Sequence, residues 1–441
     1  MAMSDGLASL IIASYGWAGI AAYPLTGPLL ALRAAKGKED RARRLERYGY
    51  PSIDRPAGPL VWMHAASVGE TLAIVPLMRE LRRRDINVLL TTGTVTSAEL
   101  ARFRLDGEIL HQYVPLDVKP AVRRFLTYWR PDVAISVESE IWPTTLMELH
   151  KRHIPQILVN ARISDRSFDR WRRHASIAEA LFSKLALVIA QSDLDAERFR
   201  DLGAWPVNVS GNIKVDGDAP PCDEAVLERY RQQIGPRKTW AAISTFEGEE
   251  KIGCMVHRAL KAHTGLLSIV VPRHPERADE IEAMMIEKGL KVARRTREDV
   301  ITPDIDVFLG DTIGEMGLYL RLTEIAFVGR SLTGEGGQNP LEPAMLGCAV
   351  LSGPKVGNFR ESYQRLVRNG SARIVRDAEM LAKAVHFLTT NDLARHKMID
   401  AGMESIQEMR GALMATVKGL EPYINPLTVQ ARLEPRAAGR A

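Results

Sequence analysis

Short apolar runs alternate with helically spaced segments along this chain, stop, and start again, and that rhythm limits what it can fold into. The runs PLVWMH (59–64), NVLLTT (87–92), VAISV (133–137), QILVN (156–160) and ALVIA (186–190) each read as a strand, with shorter ones at 110–114 and 207–209. Strand–helix alternation is the signature of a parallel sheet covered on both faces. GDAPPC (217–222) breaks the pattern, which resumes with TWAAIS (239–244), LLSIVV (266–271), VFL (307–309), EIAFV (324–328) and AVLS (349–352). The expected fold is α/β, with two Rossmann-like doubly wound domains at 36–216 and 237–425, a linker at 217–236 and a polar tail at 426–441. Two such halves imply a cleft between them, and their sheets bind ligands outside the carboxyl ends of the strands.

Residues 1–35 stand apart. No charge occurs from Gly6 to Leu32, and LASLIIASYGWAGIAAY (7–23) is almost long enough for a spanning helix. Arg33, Lys36, Lys38, Arg41, Arg43, Arg44 and Arg47 follow it, an arrangement that keeps this side in the cytoplasm and can hold anionic lipid head groups. A cleaved signal peptide would carry basic residues before the run, and MAMSD has none. The expectation is a membrane anchor, spanning or lying on the bilayer. A net charge of +5 with 26% charged residues is ordinary and does not indicate nucleic acid. The three cysteines lack any CxxC spacing, so neither a disulfide framework nor a zinc site is expected.

Candidate chemistry clusters just after the strand-like runs. TGEGGQNPLEPAMLGC (333–348) reads as a glycine loop opening a helix, with Gly334, Gly336 and Gly337 letting a ligand approach the amides. Asn339 suits the N-cap, Pro340 the first helical position, and Leu341 and Glu342 the first turn. Free amides and helix dipole then favour an anion, with Glu342 directed past it toward hydroxyls. The plainer reading is a turn whose glutamate complements the dipole.

HAASVGE (64–70) places Ser67 and Gly69 in a turn and Glu70 at a helix start, where it can accept a proton or simply face the dipole. Glu138 and Glu140 follow the next central run and can orient a polar partner or shift a neighbour's pKa. Arg162 can hold an anion or pair with either glutamate. Lys214 can offset charge on a leaving phosphate or be an ordinary surface lysine. In the second half, Pro272 and Arg273 follow LLSIVV, an apt place for an anion clamp. Asp311 or Thr312 is expected to cap a helix whose first amides, at Gly314, Glu315 and Met316, meet the same ligand. The Asp304–Ile305–Asp306 triplet precedes its strand, the wrong end for a metal site.

HAASVGE, VESEIWP, SGNIKVD, VPRHPER, GDTIGEMGLY and GGQNPLEPAMLG, in this order behind an apolar N-terminus, resemble the bacterial 3-deoxy-D-manno-octulosonic acid (Kdo) transferases over nearly the whole chain. The resemblance implies a GT-B fold and transfer of Kdo from CMP-Kdo to a lipid A precursor at the cytoplasmic face of the inner membrane, without metal or cofactor. It implies Glu70 as general base, Glu140 and Lys214 as transition-state stabilisers, and CMP contacts from Pro272, Arg273, Gly314 to Met316, and Asn339 to Glu342. Ser67, Gly69, Glu138 and Arg162 would be further substrate contacts. The family often carries histidine where this chain has Phe246 and Gln338. A nucleotide-sugar epimerase or hydrolase and a membrane-tethered sugar-nucleotide sensor are the rival expectations.

Overall fold

The computed structural model describes residues 2–105 and 107–433. They form two compact units, one reaching to Gly217 and taken up again from Arg410, the other running from Asp218 to Met409.

The first unit holds β1 (Leu60–Ala65), β2 (Asn87–Thr92), β3 (Leu110–Tyr113), β4 (Val133–Val137), β5 (Gln156–Ala161), β6 (Leu187–Ala190) and β7 (Val207–Val209). The second holds β8 (Thr239–Thr245), β9 (Leu267–Pro272), β10 (Val292–Arg294), β11 (Val307–Leu309), β12 (Ile325–Val328), β13 (Ala349–Ser352) and β14 (Ala372–Ile374). Each set makes one seven-stranded parallel sheet, in the orders β3-β2-β1-β4-β5-β6-β7 and β10-β11-β9-β8-β12-β13-β14. The winding reverses between β1 and β4 in one sheet and between β8 and β12 in the other. Loops leaving the carboxyl ends of such a pair diverge to opposite faces and leave a crevice. The inner strands are mostly apolar because helices cover both sides: β1, β4, β9 and β13 are buried at every residue.

Three expectations about domain limits need correction. The segment 217–236 is not simply a linker, since Glu224–Ile234 is a helix capped by Asp223. The segment 410–425 does not belong with the second half. Helix Ala412–Leu433 lays Val417, Leu420, Ile424 and Leu427 against Ile135, Ile157 and Ile189 of the first sheet. There the Asp216 carboxylate accepts the Gly411 and Leu413 amides, and Tyr423 Oη donates to the Ala186 carbonyl. The same helix takes in 426–433 of the expected tail; 434–441 lie outside the described residues.

The N-terminal run forms helices Ala2–Ala22 and Thr26–Ala35, joined by a turn at Tyr23–Leu25. Ile12 packs onto the first unit's core, while Leu10, Trp17, Leu25, Leu29 and Leu32 are exposed. Among the described residues no helix is long and apolar enough to cross a membrane, so the spanning form of the expected anchor is not seen. The basic segment is also partly used internally. Arg33 and Arg47 pair with Glu39, and Arg43 with Glu46, leaving Lys36, Lys38, Arg41 and Arg44 exposed.

Candidate functional site

At the reversal of the first sheet, β1 ends in His64 and Ala65 and turns into helix Val68–Arg83. Ser67 caps that helix by accepting the Glu70 amide, and Glu70 returns a bond by accepting from Ser67 Oγ at 2.8 Å. The other Glu70 oxygen accepts the Ala66 amide at 2.8 Å. The helix-start role is therefore real, yet Glu70 remains half-buried with acceptor capacity to spare. Burial raises its pKa above the ordinary carboxylate value, the charges of Glu138 and then Glu140 add to this, and its two hydrogen bonds only partly oppose them.

Glu138 and Glu140 leave the end of β4 and take different partners. Glu138 is buried with φ +59°, in the left-handed region, a backbone strain of the sort concentrated at functional sites. Its carboxylate is gripped by Lys214 Nζ at 2.6 Å and Arg162 Nε at 2.8 Å. Burial alone would raise its pKa, but the two cations outweigh burial and hold it low. Lys214 is thus not an ordinary surface lysine or a free cation, and Arg162 has taken the pairing that its position allowed. Asn160, at the end of β5 with φ +50°, builds the support: its Oδ1 accepts the Ile213 amide and so fixes the short turn carrying Lys214. Sequence reading missed Asn160 as a functional residue, because it closes the strand-like run QILVN and was read as part of the strand.

Glu140 is half-exposed and accepts from Trp142 Nε1 at 2.9 Å. His64 Nε2 lies 3.8 Å from it, buried and without a hydrogen-bond partner. His64 Nδ1 lies 3.1 Å from the Thr91 carbonyl and 3.0 Å from the Thr91 hydroxyl, which holds the ring with Nε2 toward the glutamate. Glu70, Glu138, Glu140, Lys214, Arg162 and His64 form one acid-rich group on the carboxyl edge of β1, β4 and β5.

The second sheet's edge is basic. Arg273 follows β9, is exposed, and has no side-chain hydrogen bond or ion pair among the described residues. Pro272 ends the strand and is buried. Arg330 follows β12, and its guanidinium lies 5.0 Å from the ring centre of Phe246, which in turn meets His274 edge-on at 5.4 Å. The expected anion cradle differs from its sequence reading. Its helices are short, Met316–Arg321 and Leu341–Met345, so dipole effects are small. Asp311 caps neither; it binds Arg294 Nε and the Thr296 amide. Thr312 bonds Glu315, which also pairs with Arg295. Gly314 is open, with φ +86° and nothing within 4 Å of where a Cβ would sit.

The glycine loop serves its own packing before any ligand. A Cβ on Gly334 would stand 2.8 Å from Arg330 Cγ, and one on Gly336 2.4 Å from Asn358 Nδ2. Asn339 does cap the final turn, but by taking the Leu341 amide at 3.1 Å, so that amide is not free. Its Nδ2 also holds Glu342 at 3.2 Å, and Pro340 is itself the residue before the helix. The amides at the start of the loop are taken as well. Buried Glu249 accepts from the amides of Phe246, Arg330, Ser331 and Leu332. Its signal in the sequence was the same as that of Glu70, an acid opening the helix after the central strand. Of the Asp304 triplet, Asp304 pairs with Lys291, and Asp306 with Lys261 and His257.

Residues 42–217 match the family model for 3-deoxy-D-manno-octulosonic-acid transferase (kdotransferase). The chain is 33% identical over 416 residues to the 3-deoxy-D-manno-octulosonic acid transferase of Haemophilus influenzae, covering 91% of this chain and 96% of that one. It is 33% identical over 398 residues to the Bordetella pertussis enzyme of the same name, covering 86% and 91%. Among solved structures, a glycosyltransferase from Rickettsia africae superposes with a TM-score of 0.58 at 11% identity, covering 84% of this chain and 98% of that one. That likeness shows the GT-B-like, two-sheet fold alone. Identity of this extent over nearly the full length of both chains, on an edge whose acids stand where the motifs put them, establishes that the chain belongs to the Kdo transferase family of glycosyltransferases.

Proposed function

We propose that this protein transfers Kdo from CMP-Kdo to a sugar hydroxyl of a lipid A precursor, with Glu70 as general base. The observation that carries the reading is Glu70 itself. It is a half-buried carboxylate at the winding reversal, with a raised pKa and room for another donor. A base needs proton affinity closer to neutrality than an ordinary carboxylate has, and nearby negative charge supplies it.

In this mechanism the acceptor hydroxyl donates to Glu70 and passes it a proton as its oxygen attacks the anomeric carbon of Kdo. The bond from that carbon to the CMP phosphate oxygen breaks, and CMP leaves with the electron pair. Attack opposite the leaving group inverts the configuration. Lys214 gives one N–H to Glu138 and has two left for the charge that develops. Glu140 is placed by Trp142 to steady the positive character of the sugar. Arg273 and the residues at 314–316 and 339–342 hold CMP. Protein cations suffice for a leaving group with one phosphate, so no metal is assigned.

The two N-terminal helices lie on the membrane surface in this reading. Support comes from exposed Leu10, Trp17, Leu25, Leu29 and Leu32 beside the unpaired Lys36, Lys38, Arg41 and Arg44. On this proposal the protein works at the cytoplasmic face of the inner membrane, where a lipid acceptor would be presented.

The test is incubation of the purified chain with CMP-Kdo and tetra-acylated lipid A precursor, read by mass spectrometry. The expected product is the precursor heavier by one or more Kdo residues, with CMP released only when acceptor is present. Equal CMP release without acceptor points to a hydrolase and overturns the proposal.

A further inference from the structure

Arg330 has every hallmark of a residue held in place for a ligand, and nothing in the mechanism above uses it. Its backbone has φ +56°, the left-handed region that a residue with a Cβ rarely adopts. That conformation is enforced from three sides. The Arg330 amide donates to buried Glu249 at 2.6 Å, its carbonyl accepts the Gly337 amide at 3.0 Å, and its stem lies under Gly334. The guanidinium carbon lies over the Phe246 ring, 5.0 Å from its centre. A contact with an aromatic ring supplies no oxygen acceptor, so the N–H donors still need one. Among the described residues no carboxylate, carbonyl or hydroxyl takes them. Strained backbone and a fixed, unsatisfied cation at the sheet's winding reversal point to an anionic ligand with planar oxygens.

The donor of the proposed reaction has two anionic groups, the phosphate of CMP and the carboxylate of the sugar acid. The edge has two unpaired arginines on either side of β8, Arg273 after β9 and Arg330 after β12. Arg273 stands in the motif assigned to CMP. We infer that Arg330 binds the carboxylate of the transferred sugar acid, with Phe246 as the ring against which its guanidinium rests. The inference rests on the proposed donor. It makes Arg330 and Phe246 the residues that distinguish an acidic sugar from a neutral one.

The variants Arg330→Gly and Arg330→Lys in the full chain test this. Glycine removes the cation and also relieves the left-handed strain, so its thermal midpoint is expected at or above that of wild type. Its affinity for CMP, measured by calorimetry, should stay within about twofold, while the KM for CMP-Kdo rises about tenfold or more. Lysine keeps a charge but not the fork, and should recover only part of the loss. An unchanged KM in Arg330→Gly overturns the inference. So does CMP affinity falling in step with the KM, which moves the contact to the phosphate. A lowered midpoint accompanying the KM change marks a structural role and overturns it too. If wild type makes no Kdo product, the donor reading itself fails; a working wild type with an indifferent Arg330→Gly sinks only Arg330.

Discussion

Each sheet places a glutamate at the start of the helix that follows its central strand, and the two have been put to opposite uses. Glu249, after β8, is buried, and four backbone amides converge on it. Glu70, after β1, is half-buried, accepts two hydrogen bonds, and has other carboxylates close enough to raise its pKa. A carboxylate saturated with fixed donors is a structural tie. One with spare lone pairs among like charges is poised to take a proton. The same position in the same topology therefore gives a brace in one unit and, on the proposed mechanism, a base in the other, and the number of bonds already made tells them apart.

If that contrast is right, Glu249→Ala has the largest effect on stability. Four amides, that of Ser331 fully buried and the other three part-buried, lose their acceptor, at roughly 1–3 kcal/mol each where water cannot replace it. The expected loss is about 4 kcal/mol or more in denaturant unfolding of the second unit, with the loop from Arg330 to Gly337 released. A loss below about 1 kcal/mol would show that the amides find water, and the brace would be no different from an ordinary surface acid. Glu70→Gln should do the reverse. It keeps the helix-start geometry and costs under about 1 kcal/mol of stability, but turnover drops about a hundredfold or more with CMP affinity retained. Turnover near that of wild type removes Glu70 from the chemistry.

A subtler change sharpens the electrostatic half of the comparison. On the proposed mechanism Glu70 acts deprotonated, so kcat/KM is expected to rise with pH through its raised pKa. Glu138→Gln removes a negative charge that helps hold that pKa up and leaves the Lys214 and Arg162 cations uncompensated. Both changes favour the ionised base, so the acid limb of the pH–rate profile moves to lower pH. The stability linkage has the opposite sense. A raised folded-state pKa favours the fold below the unfolded value, and that contribution fades as pH climbs through the folded value. A limb that stays in place would mean the acid limb reports some group other than Glu70.

Much of this was legible in the sequence, for a physical reason. Inner strands of a doubly covered sheet are continuous apolar runs, so β1, β2, β4, β5 and β9 stood out. The two strands that were missed, β10 and β14, are three residues each and lie at the sheet's margins, too short for any periodicity. Helix Ala412–Leu433 was assigned to the wrong half, because its apolar positions say that a face is buried and not which sheet buries it. The site followed the same division. Glu138, Arg162 and Arg273 stood out as candidates because they come directly after strands, Glu140 and Glu70 because they lie in the loop or helix start that follows one, and Lys214 because it lies just before the linker. Their partners were not, since the pairing of Lys214 and Arg162 on Glu138 joins segments far apart in sequence. Even the glycine loop misled, because glycine that admits a ligand and glycine that admits the chain's own Asn358 look alike on paper.

Gly69 provides the smallest and cleanest measure of that last ambiguity. Unlike Gly336, it has nothing of the protein within 4 Å of where a Cβ would sit, and its φ is not in the left-handed region. It lies in the first turn of helix Val68–Arg83, one residue before Glu70. Alanine there is better suited to a helix than glycine by up to about 1 kcal/mol, so Gly69→Ala should hold or slightly raise stability. The protein alone gives no reason for glycine. If an acceptor sugar comes down onto this turn to reach Glu70, the added methyl meets it, and the KM for the lipid should rise severalfold while CMP affinity and stability do not suffer. An alanine variant with wild-type kinetics would mean that the acceptor reaches Glu70 from another side, past Glu140 and His64, and the open space above Gly69 would be only solvent.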